Sequence, residues 1–311
     1  YICKQYAFGQ KLPEEYTAES YPALPVEEAA TNVANERALI SMERRFAASF
    51  WKTGVWTRDM AGAKVFNARL SLFMPIDDTP VPPPLNPVER GLADLWARTA
   101  GPLSQDGRRV FRKAIEDMTE SWVWELANLI QHRIPYPVDY IEMRRKTFGS
   151  DLTKSLARLT IGEGVPPAVF QTRAMSGIDN SAADYACMTN DVFSYQKEIE
   201  FEGEFHNCVL VLERFLECDR TKAATVVTDL MAARMRQFEH ILATELPGVL
   251  DEFSLDKAAR AKVGRYITGL QNWVSGIIVW HKTGANPNTG SIAPTSCEFL
   301  LFGRLNVGAP M

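Results

Sequence analysis

No stretch of this sequence is long and apolar enough to cross a bilayer, because Arg, Glu or Gly interrupts the longest apolar runs short of about 20 residues. The first residues lack a basic-then-apolar pattern, so no secretory leader is expected. Neither sign of charge dominates: 34 basic against 38 acidic residues leave a net −4, which excludes the electrostatic footprint of a nucleic-acid binder. Cysteine is scarce and unpaired. The five residues Cys3, Cys187, Cys208, Cys218 and Cys297 include no Cys-x-x-Cys, which argues against a zinc site or a disulfide framework and for free thiols in a reducing cytoplasm. The four histidines, His132, His206, His240 and His281, lack ligand spacing. No repeat of 20–50 residues is evident, which excludes a solenoid. What remains is a chain of 311 residues, 46% hydrophobic and 10% aromatic, enough for the core of one large domain or two small ones.

Hydrophobic periodicity is helical wherever it is sustained, so the chain reads as all-α. Helices are predicted over 35–51, 60–73, 86–99, 105–133, 138–148, 152–161, 166–171, 182–201, 208–216, 221–246 and 256–281. The clearest is 105–133, where Phe111, Ile115, Met118, Trp122, Leu126 and Ile130 recur at three- and four-residue intervals. Asn86-Pro87-Val88-Glu89 carries the signs of a helix start. The preceding Asp77-Asp78-Thr79-Pro80-Val81-Pro82-Pro83-Pro84 cannot be helical, since proline removes donors and fixes φ. Residues 1–33 and the Gly/Asn/Pro/Ser/Thr-rich stretch from 284 onward read as irregular.

Chemistry concentrates in Asn190-Asp191-Val192-Phe193-Ser194-Tyr195-Gln196-Lys197-Glu198. Asn190, Ser194 and Glu198 recur every four residues, and four residues of α-helix overshoot a full turn by only about 40°. An amide oxygen, a hydroxyl and a carboxylate therefore share one stripe, a hard-donor set suited to Mg²⁺. A plain surface stripe would have the same spacing, but the apolar residues around it make the helix too apolar for solvent, and buried oxygens need partners. Arg144 and Arg145 carry the guanidinium groups that grip phosphate or pyrophosphate, or else are solvated. They lie about 100° apart on a helix, so they do not face one cavity equally. Trp122, Trp124, Phe148, Phe193, Tyr195, Trp273 and Trp280 are either pocket aromatics able to stabilise cations or ordinary core.

The run Asn190–Glu198 resembles the second metal-binding motif of microbial class I terpene synthases. Met143-Arg144-Arg145-Lys146-Thr147-Phe148-Gly149-Ser150-Asp151-Leu152-Thr153, residues 193–212 and Arg236-Gln237-Phe238-Glu239-His240 are similar to the geosmin synthases of that family. The proline-rich loop and residues 86–92 match their second, C-terminal domain. The resemblance covers about 57–282 and implies a class I helical bundle around a central apolar cup, with 1–56 and 284–311 as atypical ends. It implies that Asn190, Ser194 and Glu198 hold Mg²⁺, of which the family uses up to three. Arg144 would be the diphosphate sensor and Lys197 a further diphosphate contact. Phe148, Phe193 and Trp280 would belong to the cup. The implied activity is that of a sesquiterpene cyclase converting germacradienol to geosmin with loss of acetone. The implied partners are a small apolar terpenoid and pyrophosphate, with no nucleic acid and no membrane, and a second cyclase domain in a longer gene product.

Two departures from the family bear on function. Its aspartate-rich motif belongs where this chain reads Phe50-Trp51-Lys52-Thr53-Gly54-Val55-Trp56-Thr57-Arg58-Asp59, without paired acids. Asp77-Asp78 is no substitute, since it falls in the polyproline connection. The family's closing Arg-Tyr pair is also missing after Trp280-His281. These departures keep two alternatives open: a degenerate fold that binds without chemistry, and a cyclase of another terpenoid diphosphate.

Overall fold

The computed structural model describes residues 60–85, 87–162, 164–201 and 205–283. The helix expected at 35–51 and both atypical ends lie outside them. Every regular element among the described residues is helical, as expected. The chain forms two compact units, and the division falls between Arg144 and Arg145: residues up to Gln131 with Arg145–Glu163, and His132–Arg144 with the chain from Gly164.

In the first unit, α1 (Met60–Leu70) passes into a 3₁₀ turn, Ser71–Phe73, followed by α2 (Pro87–Thr99), α3 (Gln105–Ile130) and α5 (Ser150–Ile161). Helix α4 (Pro137–Thr147) precedes α5, and Gly149 joins them at φ 80°, a left-handed conformation that glycine adopts without steric cost. The predicted stripe of α3 is the core. Phe111, Ile115, Met118 and Trp122 bury against Phe73, Leu92, Trp96, Leu152 and Leu156. Ile130, expected on the same stripe, is exposed because α3 ends there and Gln131 and His132 turn away, with His132 at positive φ. Glu89 acts three residues into α2 as the sequence suggests, accepting from the Leu85 backbone N–H at 2.6 Å and pairing with Arg69.

The second unit is built around α7 (Arg173–Tyr195), which a π-helical turn, Gln196–Phe201, continues. A short α6 (Pro167–Phe170) precedes it; α8 (Cys208–Leu216), α9 (Arg220–Thr244), α10 (Leu246–Glu252) and α11 (Lys257–Thr283) follow. Helix α7 is buried on nearly all sides, its small residues Ala182, Ala183 and Ala186 completely so. At Gly177 a Cβ would stand 2.6 Å from Ile241 Cδ1, so the Ile241 side chain of α9 fills the space that a side chain on α7 would need. The structure corrects three boundaries. Helix α7 begins at Arg173 rather than 182, capped by Thr172, whose hydroxyl accepts from the Met175 N–H at 3.3 Å. The expected continuous α-helix through 201 becomes π-helical at Gln196. The stretch expected as one helix over 221–246 ends at Thr244, and Pro247 opens α10 from its first turn.

Candidate active site

Asn190 and Ser194 stand on α7 and Glu198 in the π-helical turn, all within the second unit and only 2%, 6% and 3% exposed. Burial of all three removes the surface-stripe reading, because such oxygens must find partners inside the protein. Ser194 Oγ donates to the Asn190 carbonyl one turn back at 2.6 Å, which leaves its oxygen lone pairs facing outward from that bond. Glu198 Oε2 accepts from Asn207 Nδ2 at 2.9 Å. The same nitrogen donates to the Asp191 carbonyl at 2.7 Å, and Asn207 Oδ1 caps α8 by accepting from the Val209 N–H at 2.9 Å. One side chain thus ties the acid of the π turn to the body of α7.

Arg144, on α4 and 3% exposed, reaches the same place. Its Nη2 donates to Asn190 Oδ1 at 2.8 Å, and Nε and Nη2 donate to Asp191 Oδ1 at 3.0 and 2.6 Å. Asp191 Oδ2 accepts from the Tyr140 hydroxyl at 2.5 Å and the Cys208 N–H at 3.0 Å. Burial pulls the Arg144 guanidinium toward neutrality, but Asp191 together with Tyr140, Cys187 and Glu198 outweighs it and holds the group charged well beyond the ordinary arginine range. Burial first, and Asp191 second, push the Tyr140 phenol and the Cys208 thiol well up, so both stay protonated.

Of the site residues read from the sequence, Arg144 and Asn190 are brought into direct contact, and Glu198 joins them through Asn207 and Asp191. Phe193 lies on the rim of this group, its ring stacked on His281 at 5.1 Å and 6°. His281 Nε2 sits 3.3 Å from Asn190 Nδ2, and burial lowers its pKa to about 4, so the neutral ring accepts that bond. Arg145 and Phe148 are partly buried and fall in the first unit, as do Trp122 and Trp124. Trp122 donates its Nε1–H to the Thr147 carbonyl at 3.0 Å, a core role. Trp273 is buried in the second unit. Tyr195 donates to Glu213 at 2.5 Å beneath the Arg220 guanidinium, and burial followed by Glu213 pushes its pKa to about 12. The side chains of Lys197 and Trp280 lie outside the described residues. The sequence pattern does not single out Tyr140, Asp191 and Asn207, nor the pair of the buried Asp184 with the part-exposed Arg234, Nε at 2.8 Å. Asp191 carried a legible signal, since an acid in a helix apolar on every side requires a partner.

A cavity of about 280 Å³ lies where α4, α7 and α9 meet, with Arg144, Asp191, Asp184 and Arg234 in its wall and Met188 and Leu230 among its apolar lining. The donor set of Asn190, Ser194 and Glu198 suits a hard cation, because all three contribute oxygen and none sulfur or nitrogen. Glu198 is the one carboxylate of this set, and no group of three or more His, Cys, Asp or Glu placed to hold a metal occurs among the described residues. Asp77 accepts from the Thr79 N–H at 3.0 Å in an exposed turn, and Asp78 is fully exposed. No described helix is long and apolar enough to cross a membrane.

The chain is similar to several known terpene synthases. Pentalenene synthase of Streptomyces avermitilis is 29% identical over 211 residues, 66% of this chain and 61% of that protein. A 7-epi-alpha-eudesmol synthase of Streptomyces viridochromogenes, described as cyclizing (2E,6E)-farnesyl diphosphate, is 28% identical over 146 residues, 47% of this chain and 42% of its own. The chain spans about three fifths of the length of the pentalenene synthases it matches. The crystal structure of germacradien-4-ol synthase from Streptomyces citricolor superimposes with a TM-score of 0.64 at 24% identity, covering 84% of this chain and 80% of that one, and so shares the fold. The family model for terpene synthase family 2, C-terminal metal binding, matches residues 54–237. That match covers more than half of the 311 residues and takes in the whole triad with Arg144, and the chain belongs to terpene synthase family 2.

Proposed function

We propose that this protein is a Mg²⁺-dependent sesquiterpene cyclase of the kind found in the second domain of geosmin synthases, acting on germacradienol and one water to give geosmin and acetone. The observation that carries the reading is the direct contact of Arg144 Nη2 with Asn190 Oδ1 at 2.8 Å, which places a permanent cation beside an oxygen of the metal-type triad. An anion that bridges a metal and a guanidinium, as a diphosphate does, is the ligand such a juxtaposition suits. In this reading Asn190, Ser194 and Glu198 hold Mg²⁺, and Arg144 and Lys197 hold a separate pyrophosphate, since germacradienol carries no diphosphate of its own. Bound there, the metal supplies charge neutralisation for the anion. Asn207 keeps the Glu198 carboxylate oriented, and Phe193 stacks on the neutral His281 that bonds Asn190. The relative described as cyclizing farnesyl diphosphate supports a sesquiterpenoid substrate.

Germacradienol is an alcohol, so its reaction starts from a proton and requires less neutralisation of a leaving group than farnesyl diphosphate does. The lone carboxylate of the triad fits that milder demand. It is also the observation behind a second reading, a fold of this family that binds ligands without chemistry. Incubation with farnesyl diphosphate or germacradienol, each with Mg²⁺, followed by gas chromatography, separates these outcomes. Geosmin from germacradienol with little product from farnesyl diphosphate is expected. Brisk turnover of farnesyl diphosphate would replace the proposal with a diphosphate-ionising cyclase, and no product from either would favour the non-catalytic fold.

A further inference from the structure

We propose that Asp191 is the positioning residue for Arg144, holding its guanidinium at the edge of the triad in the one orientation from which it meets an anion. The inference rests on the reading of Arg144 as an anion-binding group. A guanidinium is a planar fork of five N–H donors on a flexible stem, so its usefulness depends on the plane in which it is held. Here three contacts define that plane: Nε and Nη2 on Asp191 Oδ1, and Nη2 on Asn190 Oδ1.

Asp191 is itself held rigidly. It is 0% exposed, and its Oδ2 receives the Tyr140 hydroxyl and the Cys208 N–H. Tyr140 and Arg144 stand four residues apart on one face of α4, so each takes a different oxygen of the same carboxylate. One aspartate therefore clips α4 to α7 and fixes the arginine's rotamer at the same time. A buried ion pair contributes little net stability compared with a well-packed apolar pair, because desolvation offsets the attraction. Orientation is what this arrangement adds. It leaves Arg144 touching an oxygen assigned to the metal, where metal-bound anion and guanidinium meet.

The test uses the full chain and inorganic pyrophosphate with Mg²⁺, titrated by calorimetry, with melting curves recorded without ligand. Arg144→Met is expected to weaken pyrophosphate binding at least about thirtyfold, and Asp191→Asn about tenfold, as befits loss of charge-assisted hydrogen bonds. The charge-balanced double variant Arg144→Met/Asp191→Asn should bind no more weakly than Arg144→Met alone, because a positioning residue has nothing left to position. Tyr140→Phe should weaken binding a few-fold while leaving the fold intact, and it carries the test with the double variant if Asp191→Asn does not fold. Unchanged binding by Arg144→Met would overturn the anion-site reading and this inference with it. Weak binding by Arg144→Met beside wild-type affinity in both Asp191→Asn and Tyr140→Phe would overturn the positioning role alone. So would an equal loss from Asp191→Asn in both backgrounds, the mark of a general effect on the fold.

Discussion

Replacing Asn207 by Ala removes three hydrogen bonds from a side chain that is 0% exposed, and each has a magnitude. Loss of the cap on α8, where Oδ1 accepts from Val209 at 2.9 Å, costs about 1 kcal/mol. Loss of the charge-assisted bond to Glu198 at 2.9 Å costs about 2 kcal/mol. Loss of the bond to the Asp191 carbonyl at 2.7 Å costs about 1 kcal/mol. Because these act on neighbouring groups that relax together, the expected total is about 3–4 kcal/mol. Asn207→Ser keeps an acceptor for the Val209 N–H and should recover about 1 kcal/mol of that loss. Urea unfolding followed by tryptophan fluorescence and far-UV circular dichroism measures all three proteins. Repeating Asn207→Ala in a Glu198→Gln background isolates the carboxylate contact, and the cost should fall by at least about 1 kcal/mol. A loss below about 1 kcal/mol, or an identical loss in both backgrounds, would show that Asn207 does not hold Glu198.

Other expectations follow from the same geometry. Arg234→Met deprives Asp184, 2% exposed, of its guanidinium; since Arg234 is itself one-third exposed, the cost is expected near the low end for a buried pair, about 2 kcal/mol, and Asp184→Asn in the same chain should return most of it in urea melts. Arg144→Ala breaks a buried pair and should destabilise by about 3–5 kcal/mol, whereas Arg145→Ala should cost less than about 1 kcal/mol; equal melting temperatures for the two would undo the assignment of Arg144 as the buried member. Trp122→Phe removes the donor to the Thr147 carbonyl and part of the first unit's core, and should cost about 2 kcal/mol by chemical denaturation.

What was legible in the sequence was whatever one side chain's periodicity could announce. The α3 stripe of Phe111, Ile115, Met118 and Trp122 is buried because a helix of that spacing has one face to hide. The burial of Asn190, Ser194 and Glu198 follows from the same periodicity, while the contact of Arg144 with Asn190 joins residues 46 apart that no local pattern links. The start of α7 was not legible, because Ser176, Gly177, Asp179, Asn180 and Ser181 are weak helix formers, and tertiary contacts override them. Asp179 finds the Tyr266 hydroxyl at 2.7 Å, 87 residues away, which no local window contains. Asn207 and Tyr140 escaped for that reason too: their roles exist only once α4, α7 and the start of α8 converge on Asp191. Asp191 lay between members of a period-four pattern and was passed over with the residues that fill the gaps.

The π-helical turn at Gln196–Phe201 bears on how this motif can be moved between proteins. Four residues overshoot an α-helical turn by about 40°, and a turn closed by i→i+5 bonds holds more residues and so trims that overshoot. The third member of the motif therefore stands where a wider turn puts it rather than where a ruler of straight helix would. A synthetic helix or designed scaffold carrying the nine residues Asn190 to Glu198 in unbroken α geometry would reproduce the letters and misplace the last ligand. Deleting one residue from the turn would do the same to the natural chain, converting the segment to regular helix and rotating everything beyond it. A graft of this site has to carry the wide turn along with the side chains.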